Sequence, residues 1–134
     1  MELRQAVIIA GIGCRKAASA AEVRAVIEAA LARAGLAPGA LAMVATSAAK
    51  GEEAGIAAAA SALGLPLVVV PGADLAAAGA RTVTYSERVV ALTGVPSVAE
   101  AAALAAGGAD ARLIAPRIAV GNATCALAET GSAR

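Results

Sequence analysis

The stretch that decides the fold is QAVIIAGIGCRKAASAAE, residues 5–22. From Gln5 to Ile12 it is a short apolar block with VIIAGI at its centre, ending in Gly13-Cys14-Arg15-Lys16. Its length and β-branching predict a buried strand running into a loop. Ser19 then opens a helix, because Ser19 and Glu22 have capping-box spacing and Val23, Val26, Ile27, Ala30, Leu31 and Ala34 recur at helical intervals on one face. Glu22, Arg24, Glu28 and Arg33 lie off that face, and Gly35 supplies the stop.

Working outward, Leu41 to Ala45 reads as a second strand that delivers Thr46 and Ser47 at its carboxyl end, followed by a helix from about Glu52 to Leu63 closed by Gly64. Leu67 to Val70, bounded by Pro66 and Pro71, is the clearest strand. Helical pieces are expected around Asp74 to Ala78, Ser86 to Leu92 and Val98 to Ala106. Leu113-Ile114 and Ile118 to Ala128 supply two final strands, with Pro116 favouring a turn or edge position between them. The alternation predicts an α/β single-domain sandwich, with a central, largely parallel or mixed sheet flanked by helices. Alanine is the commonest residue, which favours helices that approach the sheet closely.

At 134 residues the chain has the size of one domain, 1–134, and no linker or repeat divides it. Lys+Arg 11 against Asp+Glu 10 argues against a basic nucleic-acid module, and with Tyr85 the one aromatic residue a base-stacking platform cannot be built. The absence of His removes Ser-His-Asp and Cys-His nucleophilic arrangements and most zinc sites. Cys14 and Cys125 form no Cys-x-x-Cys pair and read as reduced thiols of a cytoplasmic protein. The apolar run before Cys14 is too short, and its leader too weakly charged, for a secretory signal. Ala54 to Ala73 carries no charge, but Gly64, Pro66, Pro71 and Gly72 make it helix, turn and strand rather than a membrane span.

Ligands of α/β sheets bind at the carboxyl ends of parallel strands, which points to the loops at Gly11 to Ser19, Thr46 to Glu53 and Pro71 to Asp74. Gly11-x-Gly13 suggests a dinucleotide loop, but Lys16 stands in place of the third glycine and no acidic residue ends the second strand. A tight strand-to-helix turn is the plainer reading, and no cofactor is expected. The chain's two lysines, Lys16 and Lys50, both fall in loops after strands, and Arg15 joins the first. An anionic ligand with several carboxylates accounts for them most simply, ordinary solvated loop charge being the alternative. Glu87 and Glu100 lie three residues after Thr84 and Ser97, so each reads as the partner in a capping box, with a catalytic acid as the other reading. Cys14 is either a bystander thiol or a nucleophile activated by Arg15, Lys16 and the next helix end.

Three blocks together carry a resemblance. Gly11-Ile12-Gly13-Cys14-Arg15-Lys16 followed by Ser19 and Glu22 resembles the GIGCR(K/R) opening of the CobE family of cobalamin biosynthesis, which includes the carboxyl-terminal domain of CbiG, the cobalt-precorrin-5A hydrolase. Ala45-Thr46 with Lys50, Glu53 and Gly55 resembles the family's second block. Ser86-Glu87 and Thr93-Gly94-Val95-Pro96-Ser97-Val98-Ala99-Glu100-Ala101 resemble its third. The blocks occur in family order over most of the chain. Ala17 departs from a usual glycine, and Gly121 to Cys125 matches the terminal strand only loosely.

The resemblance implies a stand-alone cobalamin (vitamin B12) biosynthesis protein of the aerobic corrin-ring pathway. Such a protein would bind or hand over a precorrin or hydrogenobyrinic-type polycarboxylate, the alternative being a hydrolase that opens the ring lactone and releases a two-carbon aldehyde. The implied substrate-binding set is Gly11, Gly13, Cys14, Arg15, Lys16, Ser19, Thr46, Lys50, Ser86, Glu87, Ser97 and Glu100, with no metal. The implied partners are the corrinoid intermediate and other cobalamin-pathway enzymes, with neither nucleic acid nor membrane.

Overall fold

β1 (Val7–Cys14) runs through the middle of a five-stranded sheet, and its neighbours explain its composition. A computed structural model of the chain describes residues 7–14, 18–48, 54–83, 90 and 97–130. In chain order β1 is followed by α1 (Ala20–Ala34), β2 (Leu41–Ser47), α2 (Ala54–Ala62), β3 (Leu67–Val70), α3 (Gly72–Ala78), α4 (Val98–Gly107), β4 (Arg112–Val120) and β5 (Ala123–Thr130). The strand order is β3-β2-β1-β5-β4. β1 pairs with β2, and β2 with β3, in parallel, whereas β5 runs antiparallel to both β1 and β4. The sheet is therefore mixed, and the α/β expectation holds.

Alternation along β1 divides the core in two. Ile8, Ala10 and Ile12 face α1 and α2, packing with Val23, Val26, Ile27, Leu31, Val44 and Ile56. Ile9 faces the other layer, with Leu75, Leu104 and the alanines 101–103 of α4. Both faces of β1 are covered, so the strand reads as a continuous apolar run. The α1 stripe read from the sequence is buried as expected, and Gly35, in the left-handed region at φ 73°, closes the helix. The uncharged run at 54–73 resolves into α2, a turn, β3 and the start of α3. Among the described residues no helix is long and apolar enough to cross a membrane.

Two expectations need correction. The first strand does not end at Ile12, because antiparallel pairing with β5 continues through Gly13↔Thr124 to Cys14↔Ala123. Gly11-x-Gly13 thus lies inside a strand rather than in a loop. A Cβ at Gly11 would collide with the carbonyl oxygen of Ala99 and sit 2.7 Å from the amide of Ala103, so glycine is needed for the backbone of α4 to rest directly on β1. The second correction concerns the final hairpin. Its turn is Gly121-Asn122, inside the stretch from Ile118 to Ala128 expected as one strand: Val120↔Ala123 closes the ladder and Gly121 adopts φ 59°, while Pro116 takes the edge position that was one of its two expected places, within β4. The helix expected around Ser86 to Leu92 lies outside the described residues apart from Val90.

Candidate functional site

The carboxyl ends of β1 and β2 lie side by side, with Ile12 opposite Thr46. The buried Thr46 hydroxyl donates to the Ile12 carbonyl at 2.9 Å, and from the other flank the Thr124 hydroxyl donates to the Gly13 carbonyl at 3.0 Å. Two side-chain bonds therefore fix the last peptides of β1 in addition to its ladder. Ser47, which follows Thr46, is also buried.

Three helix amino ends gather around this strand end. At α1, the Glu22 amide donates to Ser19 Oγ at 3.0 Å and the Ser19 amide donates to Glu22 Oε1 at 2.9 Å, a closed capping box. Glu22 Oε2 also accepts the Asn122 amide at 3.1 Å, which ties the β4–β5 turn to the start of α1. The Ser19 amide, and after it the Asn122 amide, hold the Glu22 carboxyl below its ordinary range. The first turn of α2 approaches so closely that a Cβ on Gly55 would collide with the Ala18 carbonyl. The first turn of α4 lies over Gly13, where a Cβ would be 3.6 Å from the Ala99 amide and from Val98 Cβ. Aligned peptide dipoles and unpaired first-turn N–H groups make such ends favourable to anions.

The residues singled out in the sequence are distributed as follows. Gly11, Gly13, Ser19 and Thr46 are brought together around the end of β1, with the backbone of Cys14 at its terminus. Ser97 and Glu100 lie at the start of α4, both buried. The Glu100 amide donates to Ser97 Oγ at 3.3 Å, the expected cap. Its carboxylate also reaches much further: Oε1 accepts the Val83 amide at 2.7 Å and Oε2 the Arg117 amide at 2.9 Å. Arg15, Lys16, Lys50, Ser86 and Glu87 lie outside the described residues, as does the side chain of Cys14. Sequence reasoning missed Thr124 and Asn122. The Gly121-Asn122 pair between two apolar runs was the signal that would have located the hairpin and with it both residues.

Cys125 is a free, fully buried thiol, which burial pushes far above its ordinary range and leaves inert. Among the described residues no group of three or more His, Cys, Asp or Glu is placed to hold a metal. Two surface depressions lie away from the β1 end. One of about 240 Å³ is lined by Asp74, Ala78, Arg81 and Ala105, and one of about 230 Å³ lies between α1 and β4.

This α/β fold has counterparts among known proteins. The family model for the cobalamin synthesis G C-terminus matches residues 8–128. The chain belongs to this family. Protein CobE of a Sinorhizobium species is 43% identical over 127 residues, covering 95% of this chain and 82% of that one. The 1.7 Å crystal structure of CobE, a protein from the cobalamin (vitamin B12) biosynthetic pathway, superposes with a TM-score of 0.91 at 34% identity, over 100% of this chain and 98% of that one. The cobalamin biosynthesis protein chiG of Agrobacterium tumefaciens is 45% identical, with a TM-score of 0.75 over 94% of this chain and 100% of that one. These similarities make the chain a cobalamin biosynthesis protein of the CobE and CbiG carboxyl-terminal type.

Proposed function

We propose that the chain binds a polycarboxylate corrin-ring intermediate, of precorrin or hydrogenobyrinic type, at the carboxyl edge of β1 and β2, and holds it or hands it to other enzymes of the cytoplasmic pathway. The observation that carries this reading is the convergence of three helix amino ends on the fixed end of β1. In the sequence Arg15-Lys16 and Lys50 follow β1 and β2, whose ends are adjacent and about 5 Å apart in the hydrogen-bonding direction. A ligand with carboxylates around its rim would meet cations and helix dipoles of the same sense. No step of lactone chemistry is assigned to any described side chain. The Glu100 carboxylate is engaged with two backbone amides, and Cys125 is sealed in the core.

The test is titration of the purified protein with hydrogenobyrinic acid and isolated precorrins, with NAD and ATP for comparison. Corrinoid binding is expected, without a change in ligand mass. Arg15→Ala and Lys16→Ala should each weaken it by about 1.5–3 kcal/mol at unchanged melting temperature. Arg15→Lys should weaken it less than Arg15→Ala, yet not reach wild type if the contact is bidentate. Nucleotide binding without corrinoid binding overturns the proposal. Loss of a two-carbon fragment from the ligand replaces it with the hydrolase, and wild-type affinity in both alanine variants moves the site away from this edge.

A further inference from the structure

β4 is an edge strand, yet its middle is poorly suited to pairing with another strand. It takes nine residues (112–120) to cover what β5 covers in seven (123–129), with register shifts between Leu113 and Ala115 and between Ala115 and Ile118. Pro116 in the second shift has no N–H to offer, and the Arg117 amide turns inward to the fully buried carboxylate of Glu100. The bulge, the proline and the redirected amide interrupt the strand here, which makes its free edge a poor template for strand addition. The stretch offers side chains instead. Ile114, Pro116 and Ile118 form, with Ala30 of α1, the apolar floor of the 230 Å³ groove, and Arg33 and Arg117 stand on it. Among the described residues neither guanidinium has a carboxylate within ion-pair distance, whereas Arg112 on the same strand pairs with Glu129 at 2.7 Å.

We infer that this groove docks an acidic, partly apolar segment of a partner protein. Its carboxylates are taken by Arg33 and Arg117, and its apolar side chains lie on Ile114, Pro116 and Ile118. Charge decides the occupant. A second copy of this chain would bring the same arginines toward one another, and like charges face to face are repelled. A small anion alone would leave the apolar floor uncovered, and the volume is below the roughly 300–1,000 Å³ usual for enclosed small-molecule sites. The Glu100 bond fixes the backbone of Arg117, so the groove is formed before anything binds. The surface is separate from the ligand edge: Arg33 is one residue from the end of α1 and Ser19 caps its start, about 20 Å away along the helix. The inference therefore stands or falls independently of corrinoid binding.

The experiment is fluorescence anisotropy with a labelled peptide that alternates glutamate and leucine, against the same peptide with lysine for glutamate, and with citrate as competitor. The acidic peptide should bind, weaken as salt rises, and lose about tenfold or more in affinity with Arg33→Glu or Arg117→Glu. The double reversal should prefer the lysine peptide. Both side chains are at the surface, and Arg33→Gln and Arg117→Gln serve if a reversal fails to fold. The proposal is overturned by equal binding of the two peptides, by affinity unchanged in all four variants, by the absence of binding at millimolar peptide, or by citrate matching the peptide's affinity. A dimer in sedimentation that the reversals dissolve would likewise overturn it, by assigning the groove to a second copy.

Discussion

Ser19-x-x-Glu22 and Ser97-x-x-Glu100 have the same spacing, and in both the serine hydroxyl accepts the glutamate amide at the start of a helix. Their surroundings separate them. Glu22 is at the surface, closes its box on the Ser19 amide and holds the neighbouring Asn122 turn. Glu100 is inaccessible to solvent, on a helix buried continuously from Ala99 to Leu104, and takes amides from Val83 and Arg117, each 17 residues away along the chain. The local signature places a helix start in both cases. What the carboxylate does next is decided by how many elements converge on that start.

The comparison is broken most directly at Glu100. Glu100→Ala leaves the Val83 and Arg117 amides without their carboxylate in a partly buried setting, at about 1–3 kcal/mol for each unsatisfied group, so a loss of about 3–5 kcal/mol is expected in denaturant titration. Glu100→Gln retains one acceptor oxygen and should fall between. Glu22→Ala should lower stability far less, since water can replace the carboxylate at a surface position. Equal losses at the two glutamates would show that burial does not distinguish them. A Glu100 variant with wild-type melting and abolished corrinoid binding would turn a scaffold residue into a site residue.

A smaller effect separates the serines. Ser97→Ala removes a cap in a buried setting and should cost about 1–2 kcal/mol, whereas Ser19→Ala, at an exposed end, should cost about 0.5–1 kcal/mol. Thermal unfolding of the two variants at neutral pH measures both. Corrinoid affinity should be nearly unchanged in Ser97→Ala.

Much of the frame was legible because its causes are local. The α1 stripe, the Ser19 box, β3 between its prolines and the Gly64 turn all depend on residues a few positions apart. The rest depends on contacts that sequence spacing does not reveal. Gly11 reads as a loop glycine because α4, the helix whose backbone rests on it, comes more than eighty residues later, and at Gly13 the group a Cβ would crowd is the equally distant Thr124 hydroxyl, 2.8 Å away. Thr124 reaches the Gly13 carbonyl across 111 positions. Pro116 left a turn and an edge position open, and the edge position holds: β4 has a free side that tolerates the missing proline N–H, while the next amide, of Arg117, goes to the buried Glu100 carboxylate, a contact that no spacing reveals. Of the candidate site, the helix caps at Ser19 and Ser97 were legible and the end of β1 was not, while the cations expected to meet the ligand, Arg15, Lys16 and Lys50, lie outside the described residues.

The smallest predicted effect tests Glu22 through acid. Its folded-state pKa is lowered from the ordinary 4.5, chiefly by the Ser19 amide and then by the Asn122 amide, with slight burial opposing. A carboxyl depressed on folding binds protons more readily in the unfolded chain, so its stabilisation is complete above the unfolded value. It is lost as the pH falls through the lower, folded value. Wild-type protein should therefore lose stability on acidification below about pH 4.5 more steeply than Glu22→Gln, whose side chain does not titrate. Protonation weakens the Oε2 bond to Asn122, so the protection of the Asn122 amide, measured relative to its intrinsic exchange rate at each pH, should fall over the same interval while that of the Arg117 amide, held by Glu100, does not follow it. Parallel acid profiles for wild type and Glu22→Gln would mean that the β4–β5 turn is held by its ladder and by Gly121 alone, and that the surface box does no more than start the helix.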